Sequence, residues 1–395
     1  MKICVVQAWG FEQLDGSNLR VYFFIKELVK RGHKITVINS SSAQAEYSRK
    51  IFGCAAVGAG VTISRWDPLW KKFYKYVLFI FKALVRLKKT DFDECFGISL
   101  INALVVTGVR ANRAAVLYVD FMSNYYRYRN PDGFLNYIIY RAIKFAEQIT
   151  IARAHRLLVI TKAMKKMINK KHRNKTFVIP DGADTEKLVP FSEGERDVLK
   201  KKYNLSGNVV IGYQGGIERW DGLQFLAEIS PLIKKKIPEV KFFIAGRGSY
   251  MGEIKKIIQK NGMSADFIFL GWVPSDKIPE IMAVCDLNVV PIPDHPSTAP
   301  LITFRLLESM AAGINVIVND LPGVREVADE SMIFLTDVEN PAVFSGDVGK
   351  ALSAPCGTRT AMRTKARAKI ETMDWRRVAK YDADFAEGQK VEWPE

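Results

Sequence analysis

The chain has 395 residues, 48% hydrophobic and 25% charged. That length accommodates about two domains of 100–200 residues, each able to close its own core. An aromatic content of 11% excludes a disordered chain, and 27 Gly with 16 Pro exclude a collagen-like one.

The formal net charge of +16 points to an anionic partner: nucleotide phosphates, an acidic lipid surface or nucleic acid. The cysteines, Cys4, Cys54, Cys95, Cys285 and Cys356, are odd in number and form no CxxC pair. Neither a disulfide framework nor a structural zinc site is expected, and a reducing, cytoplasmic compartment fits. No stretch reaches 18 consecutive apolar residues, so no transmembrane helix is expected. Met1-Lys2 runs at once into Ile-Cys-Val-Val, which reads as a first strand and not as a signal peptide.

In chain order, 2–8 is a short apolar run suited to a buried parallel strand. A loop over 9–18 ends in Asp15-Gly16-Ser17-Asn18. The segment 19–30 reads as a helix with Val21, Phe24, Ile25 and Leu28 on one face. Arg31-Gly32-His33 stops it, with Gly32 placed as a left-handed cap. A second strand over 34–39 completes a βαβ start. Weaker strands are read at 61–65 and 93–97, stronger ones at 115–121 and 156–161. Helices at 68–89, 100–109, 133–153 and 162–170 fill the intervals. A strand over 176–180 closes this set, and Asp181-Gly182-Ala183-Asp184 breaks it. A second set follows, with strands at 209–213, 240–245, 267–271, 287–291, 315–318 and 332–335. Its clearest helices are 223–235, 250–259, 275–284 and 302–312. Both sets read as doubly wound α/β domains joined near 181–190. Ligands of such sheets bind at the carboxyl ends of the strands, and a cleft shared by the two domains is the default active site.

GxGxxG, GxxxxGK[ST] and HExxH are all absent, so no dinucleotide fingerprint, P-loop or zincin is expected. Four His argue against a His-rich metal site. Asp15-Gly16-Ser17 is either a loop whose N–H groups approach a phosphate at a helix start, or an ordinary cap turn. Gly246-Arg247-Gly248-Ser249 either serves a phosphate or base, or only turns the chain. The segment 297–313 is the most informative. Pro300 suits the first turn of a helix, which leaves N–H groups of Leu301, Ile302 and Thr303, next to Ala299, to face an anion. Glu308 lies about two turns on in an apolar stretch, where a carboxylate needs a partner: a sugar diol or Arg305.

An ordered set of segments carries a resemblance. These are Val178-Ile179-Pro180-Asp181-Gly182-Ala183-Asp184, Ile244-Ala245-Gly246-Arg247-Gly248-Ser249, Phe269-Leu270-Gly271-Trp272-Val273, Leu307-Glu308-Ser309-Met310-Ala311-Ala312-Gly313 and Leu321-Pro322-Gly323-Val324-Arg325-Glu326. In order and spacing the set resembles the family 4 retaining glycosyltransferases of GT-B fold. Arg31-Gly32-His33-Lys34-Ile35-Thr36-Val37 resembles that family's "RGHEVTV", and Asp15-Gly16-Ser17 sits where its glycine-rich loop belongs. The resemblance implies an α/β fold of two Rossmann-like domains facing a cleft. These are an acceptor-side domain over 1–184 and a nucleotide-sugar domain over 185–373, with a last helix within about 374–395 crossing back to the first. It implies that Glu308 holds the ribose hydroxyls, that Val273 lies near the base, and that Gly16 lines the diphosphate or acceptor side.

The sequence departs from the family pattern at three places. Pro300 stands where the first of two glutamates usually lies. In Gly215-Gly216-Ile217-Glu218-Arg219-Trp220-Asp221-Gly222, Gly216 and Asp221 replace the Arg and Lys that meet the diphosphate. Either Arg219 or Arg305 is left to supply that charge. Val119-Asp120 stands where a histidine is often found. The expected nucleotide-sugar site therefore comprises Gly16, Gly215, Arg219, Val273, Ala299, Pro300, Leu301, Ile302, Thr303, Arg305 and Glu308. No catalytic base, metal or cofactor is assigned.

The helix at 68–89 is the second distinctive stretch. Lys71, Lys72, Lys75, Lys82, Arg86, Lys88 and Lys89 are unopposed by any acid, while Trp70, Phe73, Tyr74, Val77, Phe81 and Leu84 recur at helical spacing, with Leu78, Phe79 and Ile80 widening the apolar face. This is the pattern of a helix lying in an anionic membrane surface, or of a packing helix with a solvated basic flank. On the first reading Trp70, Lys71, Lys72, Phe73, Lys75 and Lys82 meet the membrane. The whole sequence thus reads as a cytoplasmic, peripheral-membrane glycosyltransferase with a lipid-linked or glycan acceptor. A non-catalytic partner protein and a nucleotide-sugar epimerase of the same fold are the rivals. No nucleic-acid motif supports a nucleic-acid partner.

Overall fold

A computed structural model of the chain describes residues 1–12, 17–63, 69–109, 114–118, 123–124 and 132–394. It divides into two compact units, Met1–Pro180 with Arg376–Glu395, and Asp181–Trp375.

In the first unit the elements run β1 (Lys2–Val6), α1 (Ser17–Lys30), β2 (Lys34–Asn39), α2 (Ser42–Phe52), β3 (Ala55–Gly58), α3 (Leu69–Lys89), β4 (Glu94–Ile98) and α4 (Ser99–Gly108). They continue as β5 (Ala114–Tyr118), α5 (Phe134–Arg153), β6 (Arg156–Val159), α6 (Lys162–Met167) and β7 (Thr176–Val178). The seven strands form one parallel sheet in the order β3-β2-β1-β4-β5-β6-β7. The strands read as apolar runs because helices cover both faces of such a sheet. Cys4, Val6, Ile38 and Cys95 pack with Phe79, Ala83 and Leu87 of α3 and Val105 and Val106 of α4.

The second unit runs α7 (Glu193–Lys202), β8 (Val209–Gly216), α8 (Leu223–Lys236), β9 (Val240–Arg247), α9 (Met251–Lys260), β10 (Phe267–Gly271), α10 (Ile278–Ala283) and β11 (Leu287–Val290). It continues as α11 (Phe304–Ala311), β12 (Val316–Asn319), α12 (Pro322–Arg325), β13 (Phe334–Thr336), α13 (Pro341–Ser353) and α14 (Cys356–Glu371). Its six strands are again all parallel, ordered β10-β9-β8-β11-β12-β13. The strand order reverses between β8 and β11, which places the ligand crevice of this sheet at their carboxyl ends.

The last helix, α15 (Trp375–Ala386), returns the chain to the first unit over most of its length. Arg20 of α1 donates from Nε and Nη2 to Asp382 at 2.9 and 2.6 Å, and from Nη1 to the carbonyls of Ile179 and Pro180 at 3.1 and 3.3 Å. Both side chains of this ion pair are almost fully buried, at 3% and 6% exposure. Arg31 adds ion pairs to Asp384 and Glu387 nearer the surface.

Several elements differ from their sequence-based expectation. The third strand is Ala55–Gly58 and not 61–65. It ends in Gly58, where a Cβ would come within 2.6 Å of the Ser42 nitrogen at the start of α2. Val61 and Ile63 are buried but lie outside any strand. Arg65, Pro68, Val119, Asp120 and Phe121 lie outside the described residues. Of the helices without an expectation, α2 and α7 begin with a capping box, Ser41 with Gln44 and Ser192 with Glu195. Strands β8 and β9 extend further than expected, so Gly215 and Gly216 pair with Gly246 and Arg247. Gly246 therefore lies within β9, one residue before its end, and is not merely part of a turn.

Candidate functional site

At the carboxyl end of β8, Gly215 adopts φ +130, and a Cβ there would meet Arg305 Nη1 at 3.1 Å. The missing side chain leaves room for the Arg305 guanidinium, which α11 delivers onto the glycine pair. Arg305 Nη1 donates to the Tyr213 hydroxyl at 2.8 Å and to the Gly216 carbonyl at 3.4 Å, and Nη2 donates to Asp221 at 2.8 Å. The Tyr213 hydroxyl in turn donates to the Gly216 carbonyl. The guanidinium also lies 5.0 Å from the centre of the Tyr213 ring. Burial opposes the charge of Arg305, but Tyr213 and Asp221 outweigh it and hold its pKa above the usual range. Of the two candidates for the missing cation, Arg305 is the one seated on Gly215 and Gly216. Arg219 lies exposed in a short 3-10 turn that Asp221 closes by accepting from the Glu218 N–H at 3.0 Å.

Glu218 extends this network to the end of β9, where its carboxylate accepts from the Ser249 N–H at 3.0 Å and from the Ser249 hydroxyl. Beside it the Arg247 guanidinium lies over the exposed Trp272 ring at 5.5 Å, next to half-buried Val273 after β10. Gly222, at φ +79, closes the 3-10 turn, and a Cβ there would fall 1.6 Å from the Pro291 carbonyl oxygen. Only glycine lets this turn approach the end of β11 so closely.

The segment before α11 corrects the expected amide cradle at Ala299 and Leu301. Pro300 ends a turn, and the helix starts at Phe304 with Thr303 as its N-cap residue. The N–H of Ala299 donates to His295 at 2.8 Å and that of Leu301 to Thr298 at 3.0 Å, so neither amide is available for an anion. The turn satisfies them because His295, Ser297 and Thr298 fold it back on itself, with the Thr298 hydroxyl donating to Pro293 at 2.6 Å. The amides of Ile302, Thr303, Phe304 and Arg305 carry no hydrogen bond among the described residues, so that part of the expected cradle stays open. Two buried polar atoms at this start have no hydrogen-bond partner: Thr303 Oγ1 and Arg305 Nε. Buried polar groups are ordinarily paired, and these two are not.

Glu308 is half-buried on the same helix. Burial pushes its carboxyl up to about 7, with Arg305 and Lys187 pulling the other way. Its expected alternative partner, Arg305, is committed to Asp221 and Tyr213 instead, and the Glu308 side chain makes no hydrogen bond among the described residues. Gly215, Arg305, Thr303 and Glu308 are thus brought together on β8 and α11. Asp221 and Tyr213, which orient the guanidinium, were not singled out as site residues. Their signal was the acid in the place of a lysine. Gly16 lies outside the described residues. Among the described residues no three His, Cys, Asp or Glu side chains converge as a metal site.

On α3, Phe73 and Phe81 are exposed, at 71% and 66%. Lys71 is exposed, while Lys75 and Lys82 are half-buried, Lys82 donating to the Gly60 carbonyl at 3.2 Å. The side chains of Trp70 and Lys72 lie outside the described residues. Phe79 does not widen this outer face but is buried in the core, and Leu84 packs half-buried against it. No helix among the described residues is long and apolar enough to cross a membrane.

Two family models match the chain: Glycosyltransferase Family 4 over residues 14–187, and Glycosyl transferases group 1 over residues 208–353. A curated relative, the GDP-mannose-dependent alpha-(1-6)-phosphatidylinositol monomannoside mannosyltransferase of Mycobacterium tuberculosis, is 24% identical over 155 residues, covering 39% of this chain and 40% of its own. The matched parts span about half or less of the curated relatives' length. Solved structures align over nearly the whole chain. Sucrose-phosphate synthase from Thermosynechococcus elongatus gives a TM-score of 0.79 at 14% identity, covering 98% of both chains. HepE of Anabaena in complex with UDP-glucose gives 0.75 at 17% identity, covering 98% of this chain and all of that one. With two parallel Rossmann-like sheets and both family models in place, the chain belongs to the group 1/family 4 glycosyltransferases of GT-B fold.

Proposed function

We propose that the protein transfers a sugar from a nucleotide-activated donor to an acceptor hydroxyl, with retention of anomeric configuration. The observation that carries this reading is the convergence of Arg305, the unpartnered Thr303 hydroxyl and the open Glu308 carboxylate at the switch point of the second sheet. In this reading Arg305 and the amides at the start of α11 hold the diphosphate and stabilise the charge that develops as it departs. Asp221 and Tyr213 position the guanidinium, so the cation is in place before the sugar bond breaks. Glu308 accepts hydrogen bonds from the ribose hydroxyls, and Val273 with Trp272 and Arg247 borders the base. The UDP-glucose complex of HepE supports a nucleotide-sugar ligand for this fold.

The acceptor is lipid-linked or a growing glycan, and the enzyme works attached to the cytoplasmic face of a membrane through α3. The exposed aromatic row of α3 beside its lysines supports this, as does the lipid acceptor named for the mycobacterial relative. The five free cysteines are in keeping with a reducing compartment.

The test is release of nucleoside diphosphate from a broad panel of nucleotide sugars, with and without lipid extract. Release that depends on the extract supports the transferase. Isomerisation of the sugar without release would mean an epimerase, and inertness across the panel would mean a non-catalytic partner. For the membrane, replacing Lys71, Lys72, Lys75 and Lys82 by Gln should abolish most flotation with anionic vesicles, since each such charge contributes about 1 kcal/mol at a membrane surface. Unchanged flotation would return α3 to a packing role.

A further inference from the structure

Most of the large hydrophobic side chains that stand exposed among the described residues lie on two helices, α3 and α5. Each helix buries one face and exposes apolar side chains on another. On α3, Phe79, Ala83 and Leu87 are buried, while Phe73, Val77, Phe81 and Val85 are exposed. At about 100° per residue these two rows fall on nearly opposite sides. On α5, Glu147 and Thr150 are the buried residues, while Phe134, Ile138, Phe145 and Ile149 are exposed, again on the far side. Phe134 and Phe145 are 81% and 65% exposed. Both helices pack against α4.

The charges on these helices are one-sided. No acid occurs on α3. The single acid of α5, Glu147, is turned inward, accepting from the Ser123 N–H at 2.6 Å and the Ser123 hydroxyl at 2.5 Å. What remains beside the apolar rows is cationic: Lys71, Arg86 and Lys88 on α3, Arg141, Lys144 and Arg153 on α5. A second copy of the chain laid on this face would set cations against cations, which costs affinity. An anionic bilayer offers apolar depth and opposite charge at once.

We propose that α5 is a second membrane-docking element, whose Phe134, Ile138, Phe145 and Ile149 enter the headgroup–acyl boundary of an anionic bilayer together with the exposed row of α3. The proposal rests on the reading of α3 as a membrane helix and adds a second point of attachment. Two separated rows hold the unit in one orientation on the surface, where a single helix would leave it free to roll.

The test uses the full chain and vesicles of phosphatidylcholine with and without phosphatidylglycerol. The parent is expected to float with the phosphatidylglycerol vesicles. Phe134→Gln with Phe145→Gln should lower partitioning roughly tenfold or more, and so should Phe73→Gln with Phe81→Gln. The four together should abolish it. All four side chains are solvent-exposed, so thermal melting should stay at the parent value. If the α3 variant is released but the α5 variant floats like the parent, the role of α5 is overturned and the α3 reading stands. If the parent does not float, both fall. A parent that is dimeric in light scattering without lipid, and an α5 variant that is monomeric, would assign the face to self-association and overturn the proposal.

Discussion

Among the buried guanidinium–carboxylate pairs of the described residues, Arg20 with Asp382 and Arg305 with Asp221 differ in what they leave unsatisfied. Arg20 with Asp382 fastens the returning C-terminal helix to α1, and the Arg20 hydrogen bonds run to Asp382 and two backbone carbonyls. Arg305 with Asp221 is almost as enclosed, yet Arg305 Nε has no partner, the hydroxyl of Thr303 two residues earlier has none, and Glu308, less than one turn after Arg305, makes no hydrogen bond among the described residues. The first arrangement is complete as it stands. In the proposed reading a ligand completes the second. Neither burial nor a single unpartnered atom marks a functional charge, since Arg156 Nε beside Glu94 in the first unit also has no partner; the proposed reading rests on several such groups lying together on α11.

The largest effect should fall on the complete pair. Asp382→Asn leaves Arg20 buried without a counter-charge and is predicted to lower stability by about 3–5 kcal/mol, read as a shift in the denaturant midpoint. Nucleotide affinity of the folded protein should not change. A loss of affinity without a loss of stability would reverse the roles assigned to the two pairs.

Next comes the open pair. Arg305→Met and, separately, Glu308→Gln should each weaken nucleotide-sugar binding by about 1.5–3 kcal/mol, the range for hydrogen bonds to charged groups. Calorimetric titration of the folded variants reads this directly.

Glu308 also predicts a pH dependence. Its carboxyl lies at about 7 in the fold against an ordinary 4.5. Between those values the folded state holds a proton that the unfolded state has lost, so the contribution of this group to stability falls as pH rises from about 4.5 to about 7. Ribose hydroxyls donate to the ionised form, so nucleotide affinity should rise as pH increases through about 7. Glu308→Gln should flatten both profiles. A parent whose affinity is level from pH 6 to 8 would remove the carboxylate from the contact.

The smallest effect sharpens the comparison most. Thr303→Val replaces an unpartnered buried hydroxyl by a methyl of similar shape. Stability should hold or rise slightly, while nucleotide affinity should fall by about 0.5–1.5 kcal/mol. Loss of stability with unchanged affinity would show the hydroxyl to be satisfied within the fold.

Much of this was legible in the sequence. The parallel sheets follow from apolar runs such as Ile3 to Val6 and Leu287 to Val290 alternating with amphipathic helices. Glu308 and Arg305 stood out as charges in an apolar stretch. The pairing of Arg305 with Asp221 was not legible, because 84 residues separate partners that only the return of α11 onto the end of β8 brings together. The start of α11 was placed too early because Pro300 suits either a helix start or the last position of a turn, and the hydrogen bonds of His295 and Thr298 decide for the turn. The third strand hid behind its small residues. The outward face of α5 was hidden for a different reason: a row of Phe and Ile at helical spacing reads as core until burial shows which side it faces.

The central claim is that the incomplete charges of α11 are the nucleotide site. Titrating a panel of nucleoside diphosphates into the parent, Arg305→Met, Glu308→Gln and Asp382→Asn tests it most directly. The account predicts saturable binding of at least one nucleotide to the parent and to Asp382→Asn, and binding roughly tenfold or more weaker in the two α11 variants. Equal affinity in all four proteins, or no binding to any, would contradict it.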